Sequence, residues 1–168
     1  SYKDGLNILR IAGKYSAPVP LADTYVANWF MQENDLALVD GVVTVAPPKY
    51  YADVQFTNDG DGEWTVTGVA KKVPFGRFAN HVLVTGKSGE DIVVAVLNVS
   101  NAKVVEGANL AGEARDDLQF SGVKVSEKDQ LCKKIDQKGY DRLIQLFAVS
   151  RIAMMSGAME NILELTIQ

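Results

Sequence analysis

Leu143-Ile-Gln-Leu-Phe-Ala-Val-Ser-Arg-Ile-Ala-Met-Met-Ser-Gly-Ala-Met-Glu-Asn-Ile-Leu-Glu-Leu-Thr-Ile-Gln168 is the stretch around which the chain of 168 residues is organised. It holds no proline, its one glycine is Gly157, and good helix formers dominate it. Ala148, Ile152, Met155, Met159 and Ile162 recur at spacings of three and four, which predicts one apolar stripe on a long helix. Ile144, Phe147, Met154, Ala158, Leu163 and Leu165 widen the stripe around most of the cylinder. Such a helix is expected to be buried against several others. No capping glycine and no basic last turn close the pattern before Gln168, as expected of the first helix of a larger bundle. Its partners should be the Tyr2–Gln32 helices, a second copy, or both.

Upstream of the helix the pattern is one of short strands. Val42 to Val45, Ala52 to Thr57, Glu63 to Val69, His81 to Thr85, Asp91 to Asn98, Lys103 to Val105, Ala114 to Phe120 and Val123 to Val125 are rich in β-branched and aromatic residues. Asn58 to Gly62, Gly86 to Gly89 and Ser121-Gly122 supply the turns between them. Strands this regularly punctuated, with no helices between them, predict an antiparallel sandwich or barrel. Ser126-Glu127-Lys128-Asp129 fits a capping box, so Leu131 to Ile135 is expected as a short helix. At the other end, Tyr2 to Lys14 and Leu21 to Gln32 read as two helices separated by Pro18 and Pro20. The expected class is therefore α+β, an antiparallel β domain with helices at both ends.

Composition narrows the function. A net charge of −4 and a pI near 5.0 argue against a nucleic-acid partner, because Lys71, Lys72 and Arg77 are the one dense basic patch. No apolar run approaches the roughly 20 residues of a membrane span. One cysteine, Cys132, excludes an internal disulfide and points to a reducing, cytoplasmic setting.

Individual residues offer little chemistry. His81 is the sole histidine and has no nucleophile near it in sequence, so a structural or surface role is the plainer reading. Asn58, Asp59, Asp61 and Glu63 resemble a calcium loop only superficially and read better as a turn. Gly107 and Gly112 do not form a nucleotide fingerprint. Asp116 and Asp117 are adjacent and so point to opposite faces of a strand; a solvated strand end is expected. Cys132, beside Lys133 and Lys134 at the start of the expected helix, is a candidate reactive thiol. Met154, Met155 and Met159 are expected as core gap-fillers. Asn98-Val99-Ser100 is a sequon without a secretory context.

Three stretches, in order, resemble the flavin-dependent acyl-CoA dehydrogenase family. Ala17-Pro-Val-Pro-Leu-Ala-Asp-Thr-Tyr-Val-Ala-Asn-Trp29 resembles the Pro-Leu-Ala-Glu-Thr segment that ends the family's N-terminal helical domain. Glu63-Trp-Thr-Val-Thr-Gly68, running on through Gly76, Ala79-Asn80 and Val82-Leu-Val84, resembles the strand pair of its middle β domain. Arg151 to Gln168 is similar to the helix that opens its C-terminal bundle, with Gly157, Ala158, Leu163 and Glu164 on the pattern. The resemblance implies residues 1–40 as the end of the N-terminal domain, 41–126 as the middle domain, and 127–168 as linker and first bundle helix.

It also implies a chemistry: α,β-dehydrogenation of an acyl-CoA thioester with FAD, a glutamate taking the α proton and the flavin taking hydride. The family's flavin-contacting Trp-Ile-Thr or Trp-Ile-Ser falls on Lys72, Val73 and Pro74, which keep no hydroxyl and, at Pro74, no N–H. The family's Glu-Pro-x-x-Gly-Ser-Asp is reduced to Ala46-Pro-Pro-Lys49. Arg151 is the implied substrate-binding residue. The catalytic glutamate is expected outside this stretch, so no catalytic residue and no metal ligand is assigned. The alternatives are a non-catalytic subunit and a ligand-binding or scaffold β module, in either case a homo- or hetero-oligomer joined through its helical segments.

Overall fold

The computed structural model describes residues 2–167. Helices α1 (Tyr2–Lys14) and α2 (Leu21–Glu33) come first, eight strands follow, and α3 (Gln137–Ile167) closes the order. The strands are β1 (Val43–Val45), β2 (Val54–Gly60), β3 (Glu63–Pro74), β4 (His81–Ser88), β5 (Asp91–Asn98), β6 (Lys103–Val105), β7 (Arg115–Ser126) and β8 (Cys132–Ile135). They form one sheet in the order β6-β7-β3-β2-β4-β5-β8, with β1 alongside β4. Every pairing is antiparallel except β1–β4 and the single β2–β4 contact at Gln55 and Lys87. That contact is where the sheet turns over on itself, so the expected α+β sandwich with helices at both ends is what forms.

Two apolar clusters explain the strand sequences. The inner one gathers Val54 and Phe56, Trp64 and Val66, Val82 and Val84, Val93 and Ala95, and Leu118 and Phe120 between the folded halves of the sheet. The outer one sets Val26, Phe30 and Met31 of α2 and Leu143 and Leu146 of α3 against Val43, Val45, Leu83, Val94 and Val96. β4 and β5 are covered on both faces, which is why Ile92-Val-Val-Ala-Val-Leu97 is apolar without alternation. β3, covered on one face there, alternates Trp64 and Val66 with Thr65 and Thr67. Each fully buried Leu or Val contributes on the order of 1.5–3 kcal/mol.

Several expectations need correction. Leu131 to Ile135 is not a helix: Cys132–Ile135 is β8, pairing Ile92 with Ile135 and Ala95 with Cys132. Tertiary pairing overrides the local signal, because β5 would otherwise be a bare edge. The capping-box residues serve the sheet instead. Ser126 Oγ donates to Glu63 at 2.6 Å, and Glu127 accepts the indole N–H of Trp64 at 2.8 Å. Ser121-Gly122 is not a turn but a bulge within one continuous β7, with Gly122 at φ +75°.

The helical ends pack on one another as expected, α3 against both α1 and α2, but α3 does so through a different face. α1 lies chiefly along α3, and the crossing is possible because Gly13 and Gly157 carry no side chain. A Cβ at Gly157 would overlap the backbone of Arg10 and Lys14, and one at Gly13 that of Met154. Ion pairs of Arg10 and Lys14 with Glu160, and of Lys14 with Glu164 at 2.6 Å, fasten the crossing. Arg142 grips Glu33 of α2 bidentately at 2.7 and 2.9 Å. The stripe read from the sequence is on the other side: Ile152, Met155, Met159 and Ile162 are all more than 60 % exposed. The buried face runs through Tyr140, Leu143, Leu146, Ser150 and Gly157, so it begins with large residues and ends on a glycine. Met154, Met155 and Met159 are therefore not core gap-fillers; Met154 is half-buried at the crossing and the other two are exposed.

Candidate functional site

β1 is followed by Ala46-Pro47-Pro48, whose prolines offer no N–H to a neighbouring strand and so release the chain from the sheet. The released segment lies over the first turns of α3 and is held there by the Tyr140 hydroxyl, which donates to the Pro48 carbonyl at 2.7 Å. Between them runs a groove of about 400 Å³ lined by Pro47, Pro48, Tyr140, Ile144, Phe147, Ala148 and Arg151. Tyr140 and Arg151 mark its ends along the helix, about 16 Å apart at the rise of an α-helix. Among the described residues, all else that lines it is apolar.

Arg151 is held from below. Its Nη2 donates to Asp23 Oδ1 at 2.6 Å, its guanidinium lies 5.1 Å from the Phe147 ring centre, and Nη1 is 4.0 Å from the Met154 sulfur. Asp23 is 1 % exposed on α2. Burial raises its pKa to about 6, against the opposing charges of Arg151 and Arg115. A guanidinium has five N–H donors, so Arg151 keeps donors for a ligand after serving Asp23. The sequence resemblance selects Arg151 but not Asp23. A carboxylate among apolar helix residues was the available signal, and nothing in the pattern says it faces an arginine 128 positions away.

A larger depression of about 510 Å³ lies beside Glu33, Asn34, Asp136, Asp141 and Arg142, but Glu33 and Arg142 there already neutralise one another. Lys72, Val73 and Pro74 sit at the end of β3, and none of them lines the groove. Lys72 has φ +55° and gives its backbone N–H to Asp117 at 2.8 Å. The Val73 side chain is fully buried in the inner cluster. Pro74 contributes only its carbonyl, which accepts from Thr44 Oγ1 at 2.6 Å.

The remaining candidates resolve into structure. Asp116 is not a solvated strand end; it is fully buried. Its carboxylate accepts from the Arg77 side chain at 2.6 Å, the Arg77 N–H at 2.7 Å and the Gly107 N–H at 3.1 Å. Burial alone would raise its pKa, but the hydrogen bonds and charge of Arg77, with the Gly107 N–H, take it below the ordinary value. Cys132 is buried in β8, and burial together with Glu127, Glu63 and Asp129 pushes its pKa up to about 12. It is an inert thiol. His81 heads β4 with Nδ1 buried and no hydrogen-bond partner among the described residues. Asp59 pairs with Lys124 at 2.7 Å in the β2–β3 turn. Among the described residues no three His, Cys, Asp or Glu side chains gather as a metal site, and no helix is long and apolar enough to cross a membrane.

No family model and no curated protein matches the sequence. Solved structures do match. The ChsE4-ChsE5 complex from Mycobacterium tuberculosis superposes with a TM-score of 0.83 at 21% identity, over 97% of this chain and 48% of that one. A variant of the steroid ACAD Tcur3481-Tcur3483 gives 0.79 at 19%, over 96% and 48%. A glutaryl-CoA dehydrogenase from Mycobacterium smegmatis in complex with FADH2 gives 0.58 at 15%, over 68% and 31%. The fold is that of the acyl-CoA dehydrogenases. The chain spans about half the length of the first two structures.

Proposed function

We propose that this chain is part of an acyl-CoA dehydrogenase-like oxidoreductase, and that the groove between Pro47-Pro48 and α3 receives the acyl portion of a CoA thioester. The observation that carries this reading is the groove itself: an apolar channel with one cationic end, set between the sheet and a long helix of an acyl-CoA dehydrogenase fold. Pro47, Ile144, Phe147 and Ala148 give an acyl chain the contact it needs to leave water, and Arg151 is the substrate-binding polar group.

FAD is the cofactor that the fold implies, and the triplet proposed for its ring is Lys72, Val73 and Pro74. These residues do not fit it. They bring no hydroxyl, the Lys72 N–H is spent on Asp117, and Pro74 has none to give. No step is therefore routed through flavin on this strand. That misfit favours a non-catalytic half, whose flavin and glutamate base are supplied by other parts of the assembly. The exposed face of α3, with Ile152, Met155, Met159 and Ile162, is the surface through which that half joins another helical segment.

Binding of decanoyl-CoA to the purified chain tests the reading, followed by titration calorimetry. Saturable binding that Phe147→Asp weakens at least tenfold supports it, since burying a charge against an acyl chain is costly. Binding unaffected by Phe147→Asp, or none at all, overturns it.

A further inference from the structure

We infer that the Asp23–Arg151 pair makes the groove selective for acyl groups that end in an uncharged oxygen acceptor, such as a ketone, over plain alkyl or carboxylate-ended chains. This rests on the groove as an acyl site and names the class of acyl group it takes. Three observations carry it. Arg151 stands at one end of a groove whose other described lining residues are apolar apart from the Tyr140 hydroxyl, which donates to Pro48, so an acyl group lying along α3 with its thioester toward Tyr140 brings its far end to the guanidinium. Arg151 has N–H donors beyond those that Asp23 and Met154 engage among the described residues, and an alkyl end would leave them unanswered. Its positive charge is already balanced by a carboxylate at 2.6 Å. A second carboxylate would enter beside Asp23 and meet repulsion from it, whereas a carbonyl oxygen accepts a hydrogen bond without adding charge. Arg115, the other cation acting on Asp23, is paired with Glu113 at 2.9 Å and supplies no spare charge.

Asp23 is then a positioning residue. It fixes the rotamer of Arg151 and sets the net charge of the groove end to zero. Replacing it by asparagine keeps the size and one acceptor oxygen but leaves Arg151 a net cation, which should favour a carboxylate.

The test compares three probes of one length on the purified chain: decanoyl-CoA, its terminal methyl-ketone analogue and decanedioyl-CoA. The ketone should bind roughly tenfold tighter than decanoyl-CoA, as expected for a hydrogen bond to a charged donor. Decanedioyl-CoA should be the weakest on the native chain and should overtake the ketone on Asp23→Asn. The double variant Asp23→Asn with Arg151→Gln removes both charges and leaves no buried ion, so it guards against misfolding; it should narrow the advantage of the ketone over decanoyl-CoA and leave decanedioyl-CoA weakest, because its charge then meets no cation. Circular dichroism checks that each variant is folded. Equal affinities on the native chain, or an order unchanged by Asp23→Asn, overturn the inference while leaving the acyl groove standing. Failure of all three probes to bind overturns both.

Discussion

Asp116 and Asp23 are both aspartates without exposed surface, each facing one arginine, yet they are shifted in opposite directions. Asp116 lies where β7 meets the Gly76–Phe78 turn and collects two backbone N–H groups as well as several from the Arg77 side chain. Asp23 lies in the first turn of α2, where one backbone N–H bond reaches its carboxylate, and among the described residues Arg151 is its one side-chain donor. Burial penalises both. The number of hydrogen bonds to the charged form decides which way the balance falls. One carboxylate serves as a permanent lock, and the other is a charge that can be withdrawn near neutral pH.

The sharpest way to break this comparison is to remove the arginines in turn. Arg77→Met should destabilise the chain by about 3–5 kcal/mol, because it strands a buried carboxylate. Urea denaturation at neutral pH measures it. Arg151→Met should cost less, about 1–3 kcal/mol, because Asp23 with a pKa already near 6 takes up a proton instead of staying charged. Equal losses would mean that donor count does not separate the two sites.

Their pH dependences should differ in sign. Asp23 binds a proton more tightly folded than unfolded, so between about pH 4 and 6 its contribution to stability falls as pH rises, by on the order of 3 kcal/mol in total. Asp116 binds its proton less tightly when folded. Its contribution is full above the ordinary carboxylate range and is lost as pH falls through its lowered value. Urea midpoints across this range should therefore fall less steeply toward neutral pH in Asp23→Asn. In Asp116→Asn the loss on acidification should be reduced.

Cys132 extends the series to a buried acid with no cationic partner. With its pKa at about 12 it should react with a thiol reagent at neutral pH only as fast as the chain unfolds, and rapidly in urea. The smallest effect is expected on the open side of α3. Met155→Lys should change stability by no more than about 0.5 kcal/mol while reducing self-association on a sizing column.

Much of the sheet was readable because its signals are local. Val54 and Phe56, the Asn58–Gly62 turn, and Trp64 and Val66 alternate as a half-covered hairpin must. β5 fell in place from its apolar run. Residues 131–135 were misread because Ser126 to Asp129 carries a helix-start signature, and only the open edge of β5 shows that a strand is needed there. In α3 the error was one of weight. The larger side chains lie at Ile152, Met155, Met159 and Ile162, so they outvoted a buried face whose close approach depends on Gly157. Arg151 and Pro47-Pro48 were each singled out in the sequence, but the groove they form was not legible there, since nearly a hundred residues separate Pro48 from Tyr140.

The sequence by itself determined the class of fold and most of the order of elements, because these follow from periodicity. Only the tertiary structure decided which face of α3 is covered, which aspartate is a lock, and that Asp23 stands beneath Arg151. Those depend on which donors and charges arrive from distant segments, and on how much water they exclude.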